Sequence, residues 1–244
     1  TYKIMSEHIS LPASAVYKVL ASKTHEDDEQ PGYRFQWKQL AESSMKKAVE
    51  RISQLPYSDI HVFFHVMHNM PENINVFLGN SSIIRYAQLF NAPEKISYYS
   101  NRGTSGIDGC LSAASGIASA SGKPTVAILG DLGFLYDSNA LWNRELPANL
   151  KILVINNKGG GIFHIIKGPS ESAGFKEFIE AHHPVNIAKL AEAYNLAYLA
   201  AENEADLKAR WPEFIARGNK PMIFEVKTDA ELSASTFRAL LAGI

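Results

Sequence analysis

Thr125-Val126-Ala127-Ile128-Leu129-Gly130-Asp131-Leu132-Gly133 is an apolar run of strand length that ends abruptly in a glycine–aspartate turn. A second run, Ile152–Ile155, ends in Asn156-Asn157-Lys158-Gly159-Gly160-Gly161. Upstream, Asn75–Leu78 leads into Gly79-Asn80-Ser81-Ser82, and Ile96–Tyr99 leads into Ser100-Asn101-Arg102-Gly103-Thr104-Ser105-Gly106. Met222–Val226 is a fifth run. Strands apolar on both faces, rather than alternating, belong to a parallel sheet covered on both sides. Helical patterns separate them, at about Trp37–Leu55, Tyr57–Met70, Ser81–Phe90, Ile107–Ser121, Asn186–Tyr194 and Glu204–Ala216. The fold expected is therefore α/β, a mostly parallel sheet with helices on both faces.

All four polar, glycine-containing segments follow strands, so they gather at the carboxyl edge of one sheet, where open α/β folds bind their ligands. Glycine lets the backbone approach a ligand closely and aim N–H groups at it. Helix N-termini expected after Gly79, Gly103 and Gly130 would add a field favourable to an anion. Neither the phosphate-loop signature ending in Gly-Lys-Ser/Thr nor G-x-G-x-x-G after the first strand is present.

Composition sets the outer bounds. The chain has 244 residues, 46% of them hydrophobic, enough for one large domain, or one domain plus a fragment of another, with a substantial core. The formal net charge of -1, with no long block of one sign, argues against a nucleic-acid surface or a polybasic membrane anchor. No membrane span or signal peptide is read, and the single cysteine, Cys110, suits a reducing compartment, so a cytoplasmic protein is expected. Residues 1–35, with the acidic stretch His25–Gly32, read as the tail of a preceding domain and a linker, and 36–244 as the ligand-binding domain. His61, His65 and His68 have helical spacing but sit among Val62, Phe63, Phe64 and Val66, and read as structural rather than as a metal triad.

Gly130-Asp131 and Asn156-Asn157 stand about 25 residues apart at neighbouring strand ends. Taken singly, Asp131 reads as a helix cap and Asn157 as a turn residue. Taken together, a carboxylate, an amide oxygen and a carbonyl of the following glycine loop are hard oxygen donors, which suit magnesium.

That pairing resembles the signature of the thiamine diphosphate enzymes. The flanking blocks, Ser100 to Gly109, Gly130-Asp131-Leu132 with Phe134 to Asp137, and Asn156-Asn157 with Gly159 to Phe163, look like the MenD branch of that family, which serves menaquinone biosynthesis. The resemblance implies a thiamine diphosphate-binding fold, with Asp131, Asn157 and the Gly159 carbonyl holding Mg2+, for which Mn2+ can stand in. It places Asn80, Ser81, Ile107, Gly130, Leu132 and Gly133 at the cofactor. Ile107 would prop its bent conformation, and Gly133 departs from the Ser or Thr often found there. Arg85, Arg102 and Ser81 would face the substrates, with Ile162 and Phe163 as apolar walls. The activity implied is that of a transferase that decarboxylates 2-oxoglutarate and adds the succinyl carbanion to isochorismate. The family's missing pyrimidine-binding domain, with its catalytic glutamate, would lie outside this chain, so the chain alone is expected to be inactive and the full-length protein to be a homodimer or tetramer. The residues leave open another thiamine diphosphate ligase or decarboxylase of the acetolactate synthase kind, and a non-catalytic nucleotide-binding module.

Overall fold

The computed structural model describes residues 8–23, 32–90, 93–166 and 168–242. The acidic stretch therefore lies, but for Gly32, outside the described residues. The chain divides into two compact units, Thr1–Ser43 and Ser44–Ile244. In the first, α1 (Ala13–Ala21) buries none of its residues. α2 (Tyr33–Ile52) begins there and ends in the second unit, where its last turns contribute Ala48 and Ile52 to the core.

The second unit is a six-stranded, all-parallel sheet in the order β2-β1-β3-β4-β6-β5. In chain order its elements are α3 (Asp59–His68), β1 (Asn75–Leu78), α4 (Ser82–Ala87), β2 (Ser97–Tyr99), α5 (Cys110–Ser121), β3 (Thr125–Gly130), α6 (Asp131–Tyr136), β4 (Leu150–Asn156), α7 (Ile162–Ile165), α8 (Ile187–Ala193), β5 (Ala197–Ala201), α9 (Glu204–Ile215), β6 (Met222–Lys227) and α10 (Ala230–Leu241). Every residue of β4 is buried, as a central strand covered on both faces requires. One apolar layer carries Val66 of α3, Ile83 of α4, Leu207 of α9 and Leu240 of α10. The opposite layer carries Leu111 of α5, Phe134 of α6 and Ile187 of α8. The expected sheet with helices on both faces is thus present.

Local chemistry sets several boundaries. Asn186, Asn203 and Asp229 each accept a hydrogen bond from the backbone N–H three residues on, capping α8, α9 and α10. α5 begins after Gly109, which has no side chain to cap it. Asp137 caps it instead, accepting from the Ser112 N–H at 2.6 Å and its hydroxyl at 2.7 Å.

Two expectations need correction. No helix follows directly on Gly103: the chain stays irregular to Gly109, and α5 starts at Cys110. The amide of Asn80 accounts for this by donating to the carbonyls of Asn101 (2.8 Å) and Gly106 (2.6 Å), tying up backbone that a helix would need. The helix after Gly79 is six residues, Ser82–Ala87, short of the span to Phe90.

The strand order places the site. From β1 the chain passes to β2 on one side, then returns to β3 on the other. Connections leave in opposite directions from adjacent strands there, which opens a crevice at their carboxyl ends. Gly79-Asn80 ends β1 and Gly130-Asp131 ends β3. β4 pairs with β3 through Gly130 and Ile155, which brings Asn156-Asn157 alongside.

Candidate functional site at the carboxyl edge of the sheet

A cleft of about 120 Å3 lies at this switch point. Asn80, Ser81, Ile107, Gly130, Asp131, Leu132, Gly133, Asn157, Gly159, Ile162 and Phe163, all singled out in the sequence, line it. Arg85 and Arg102 do not line it. Both are exposed, and each hydrogen-bonds a residue that does: Arg85 donates to the Ser81 carbonyl at 2.7 Å, and Arg102 to Asn80 Oδ1 at 2.6 Å.

Asp131, 2% exposed, is the centre of the polar part. Its Oδ1 accepts from the Leu132 N–H at 2.7 Å, and its Oδ2 from the Gly159 N–H at 2.8 Å. His183 Nε2 also lies 3.1 Å from Oδ2. A carboxylate has about four lone-pair sites, so these three contacts leave one for a cation. The Gly159 carbonyl accepts from the Gly161 N–H at 3.0 Å and keeps its second lone pair.

The two asparagines at the end of β4 have separate tasks. Asn156 is fully engaged: its amide donates to Glu225 Oε1 at 2.6 Å, and its oxygen accepts from the Lys158 N–H at 2.9 Å. Asn157 donates to Asp59 Oδ2 at 2.9 Å, while its Oδ1 is buried without a partner. The carboxylate accepts there, so the NH2 must face it and the oxygen must face away. A buried, unpaired amide oxygen beside a buried carboxylate with spare capacity fits a hard divalent cation.

The chain bends sharply to make this cradle. Ser81 (φ 71) and Lys158 (φ 65) adopt positive-φ conformations unfavourable for residues with a Cβ, at a cost of about 1–3 kcal/mol each. At Gly159 a Cβ would lie 2.8 Å from the Glu180 carbonyl, so only glycine fits. At Gly133 the nearest atom to a Cβ would be the Ile107 carbonyl at 3.6 Å, ordinary contact, so a Ser or Thr would fit.

Sequence reading missed two residues here. Asp59, in the first turn of α3, is 2% exposed and lines the cleft. Besides Asn157, it accepts from the hydroxyls of Thr228 at 2.5 Å, Ser233 at 3.0 Å and Tyr86 at 3.4 Å. Burial pushes its carboxyl above the ordinary range, against the pull of the hydrogen bonds from Thr228, Asn157 and Ser233. The other is His183 on Asp131. In sequence Asp59 looks like an ordinary helix-start acid, and nothing in His182-His183-Pro184 marks the second histidine. Of the three helical histidines, His61 Nε2 lies 3.3 Å from Glu204, His65 packs edge-on against Trp211, and His68 stacks on Phe64.

The family profile for the thiamine pyrophosphate enzymes' C-terminal, TPP-binding domain matches residues 78–226, from the end of β1 through β6. The chain belongs to the thiamine pyrophosphate enzyme family. Thiamine pyrophosphate is thiamine diphosphate, so the matched part is the domain that binds this cofactor, and the loops just described belong to it. Among similar proteins are 2-succinyl-5-enolpyruvyl-6-hydroxy-3-cyclohexene-1-carboxylate synthases. That of Desulfotalea psychrophila is 38% identical over 232 residues, covering 94% of this chain and 40% of that protein. That of Flavobacterium johnsoniae is 38% identical over 228 residues, 93% of this chain and 41% of that protein. That of Phocaeicola vulgatus is 40% identical over 192 residues, 78% of this chain and 34% of that protein. The chain spans about two-fifths of the length of the curated relatives it matches over most of its own. Among the described residues no helix is long and apolar enough to cross a membrane.

Proposed function

We propose that this chain is the diphosphate-holding part of a magnesium-dependent thiamine diphosphate synthase of menaquinone biosynthesis. The reaction assigned is decarboxylation of 2-oxoglutarate and transfer of the succinyl unit to isochorismate. The observation that carries the cofactor half is the unpartnered Asn157 oxygen beside Asp131 and the Gly159 carbonyl at the switch point. The substrate half rests on the family branch that the motifs resemble, in keeping with the names of the similar synthases.

When bound, the cofactor supplies the electron sink that makes decarboxylation accessible. The residues of this chain do the holding. Asp131, Asn157 and the Gly159 carbonyl would ligate Mg2+ (or Mn2+) against the diphosphate. Asn80, Gly130, Leu132 and Gly133 form the cradle, and Ile107 packs beside Gly133. Ser81 in the cleft, with Arg85 and Arg102 exposed beside it, would meet the carboxylates of the substrates, since the guanidinium fork matches a carboxylate. Ile162 and Phe163 exclude water from the succinyl side. The cleft is smaller than the roughly 300–1,000 Å3 of a complete small-molecule site. That supports a second wall from a pyrimidine-binding domain. Residues 36–244 would be the diphosphate domain of a homodimer or tetramer working in the cytoplasm.

The test is product formation by the full-length protein with thiamine diphosphate, Mg2+, 2-oxoglutarate and isochorismate. Turnover with both substrates, lost in Asp131→Ala, supports the assignment. Turnover of pyruvate alone to an acetolactate-type product would overturn the substrate half and leave the cofactor half standing.

A further inference from the structure

Lys151 is the only charged residue of β4, and it is 5% exposed. Its register partners are Val126 on β3 and Met222 on β6, both apolar. Its Nζ is buried and has no hydrogen-bonding partner. Burial lowers its pKa, as expected for an ammonium taken out of water with nothing to compensate it. A lone lysine in a central strand breaks the rule that buried charges are paired, and such breaks mark functional sites.

What surrounds the lysine gives the break a purpose. Lys151 lines a groove of about 510 Å3 at the amino ends of the strands, the sheet edge opposite the cofactor loops. Pro71, Ile74, Pro124, Val126 and Ile215 make its walls apolar. At Gly218 a Cβ would come within 3.4 Å of Nζ, so a side chain there would crowd the ammonium. The rim bears one acid, Glu72, already paired with Lys95 at 2.8 Å, and one further cation, Arg217. Among the described residues no carboxylate is left for the lysine.

We propose that this groove binds a small molecule with one carboxylate and an apolar body, the carboxylate seated on Lys151. The anion supplies the missing partner, and dry walls strengthen the attraction. The apolar walls suit the ligand's body, and the volume falls in the usual small-molecule range. Inorganic phosphate is a poor fit, because it has no apolar body to cover the groove's walls and would leave much of its charge without donors against them. Lys151 and Asn157 lie six residues apart along one strand, roughly 20 Å at about 3.3 Å per residue. The inference is therefore independent of the cofactor reading.

Titration calorimetry on the full-length protein with 4-phenylbutyrate, and separately with inorganic phosphate, tests it. Saturable binding of the carboxylate is expected, weakened about tenfold or more in Lys151→Met, in line with the loss of a charge-assisted hydrogen bond. Thiamine diphosphate binding should be unchanged in that variant. Should Lys151→Met fail to fold, Ala216→Trp serves, because Ala216 is an exposed groove residue and a ring there fills the space while keeping the lysine. Absence of saturable binding, equal affinity in the variants, displacement by thiamine diphosphate, or phosphate binding as tightly as the carboxylate would each overturn the proposal.

Discussion

Asp59→Asn should weaken metal and cofactor binding without unfolding the protein. Asp59 receives four side-chain donors, Thr228 and Ser233 on Oδ1, Asn157 and Tyr86 on Oδ2. Asparagine has only one oxygen. If that oxygen keeps the two hydroxyls on its side, its NH2 confronts the NH2 of Asn157. The conflict is relieved when the Asn157 amide turns over, which presents N–H groups, not oxygen, to the cation. The 2.9 Å bond from Asn157 to a carboxylate is of the charge-assisted kind, about 1.5–3 kcal/mol, or about 10- to 150-fold in an equilibrium constant. Loss of a partner that orients a metal ligand typically costs about 10- to 100-fold in metal affinity, so the two routes to the magnitude agree. Replacing a buried acid, whose carboxyl burial already pushes up, with a neutral amide adds no desolvation penalty, so the melting temperature should fall only by what the lost hydrogen bond takes, about 3–12 °C. Mn2+ titration in the presence of thiamine diphosphate, followed by electron paramagnetic resonance, reads the affinity directly. A well-folded Asp59→Asn protein with Mn2+ affinity within twofold of wild type would refute the claim that Asp59 orients Asn157.

Asp131→Ala should abolish cofactor retention on gel filtration while circular dichroism stays native, because the lost carboxylate is a proposed ligand and also the acceptor for Gly159. Arg85→Ala and Arg102→Ala should impair use of the substrates by about 10- to 150-fold in kcat/KM, the range for a lost charge-assisted contact, with less effect on thiamine diphosphate affinity. Gly133→Ser should be nearly neutral in a thermal melt, whereas Gly159→Ala should cost about 1–3 kcal/mol, because its Cβ meets a backbone carbonyl that cannot step aside. Burial, more than neighbouring Lys208 and His61, lowers the pKa of His65, so the folded state resists a proton that the unfolded chain accepts. Stability should therefore be full above about pH 6.5 and fall below it, with a shallower fall in His65→Gln by urea titration at several pH values.

The fold was legible where the physics is local. β1 runs over the residues its apolar pattern marks, and β3, β4 and β6 extend only one or two residues past theirs. A strand buried on both faces rarely accommodates a polar side chain, Lys151 and Glu225 being the charged exceptions here, so its ends coincide with the change in composition. β5 was missed for the converse reason. It is an edge strand, Ala197–Ala201, rich in alanine and mostly half-buried, so neither β-propensity nor continuous apolarity marks it. α10 also went unread, although Asp229 at its start is a recognisable cap. The loop after β2 defeated its reading because Asn80, in another loop 21 and 26 residues before the carbonyls it binds, captures them.

The same division runs through the site. Gly130-Asp131 and Asn156-Asn157 could be recognised because each ends a strand, and adjacent strand ends meet whatever the rest of the chain does. Which asparagine keeps an oxygen for the proposed cation is decided from farther away. Glu225, on β6, takes the amide hydrogens of Asn156, and Asp59, 98 residues before Asn157, takes those of its neighbour. Neither acid carries a motif, since any carboxylate delivered to that spot would serve. Glu225 is itself held by the Tyr198 hydroxyl, and Asp59 by hydroxyls from α4, α10 and the end of β6. The two acids differ in what they leave over. Asn156, with both ends of its amide satisfied, locks the turn to β6. Asn157, with only its nitrogen satisfied, keeps an oxygen in reserve. The proposed ligand position is made by withholding one hydrogen bond, and that choice lies in the tertiary packing of α3 rather than in the motif.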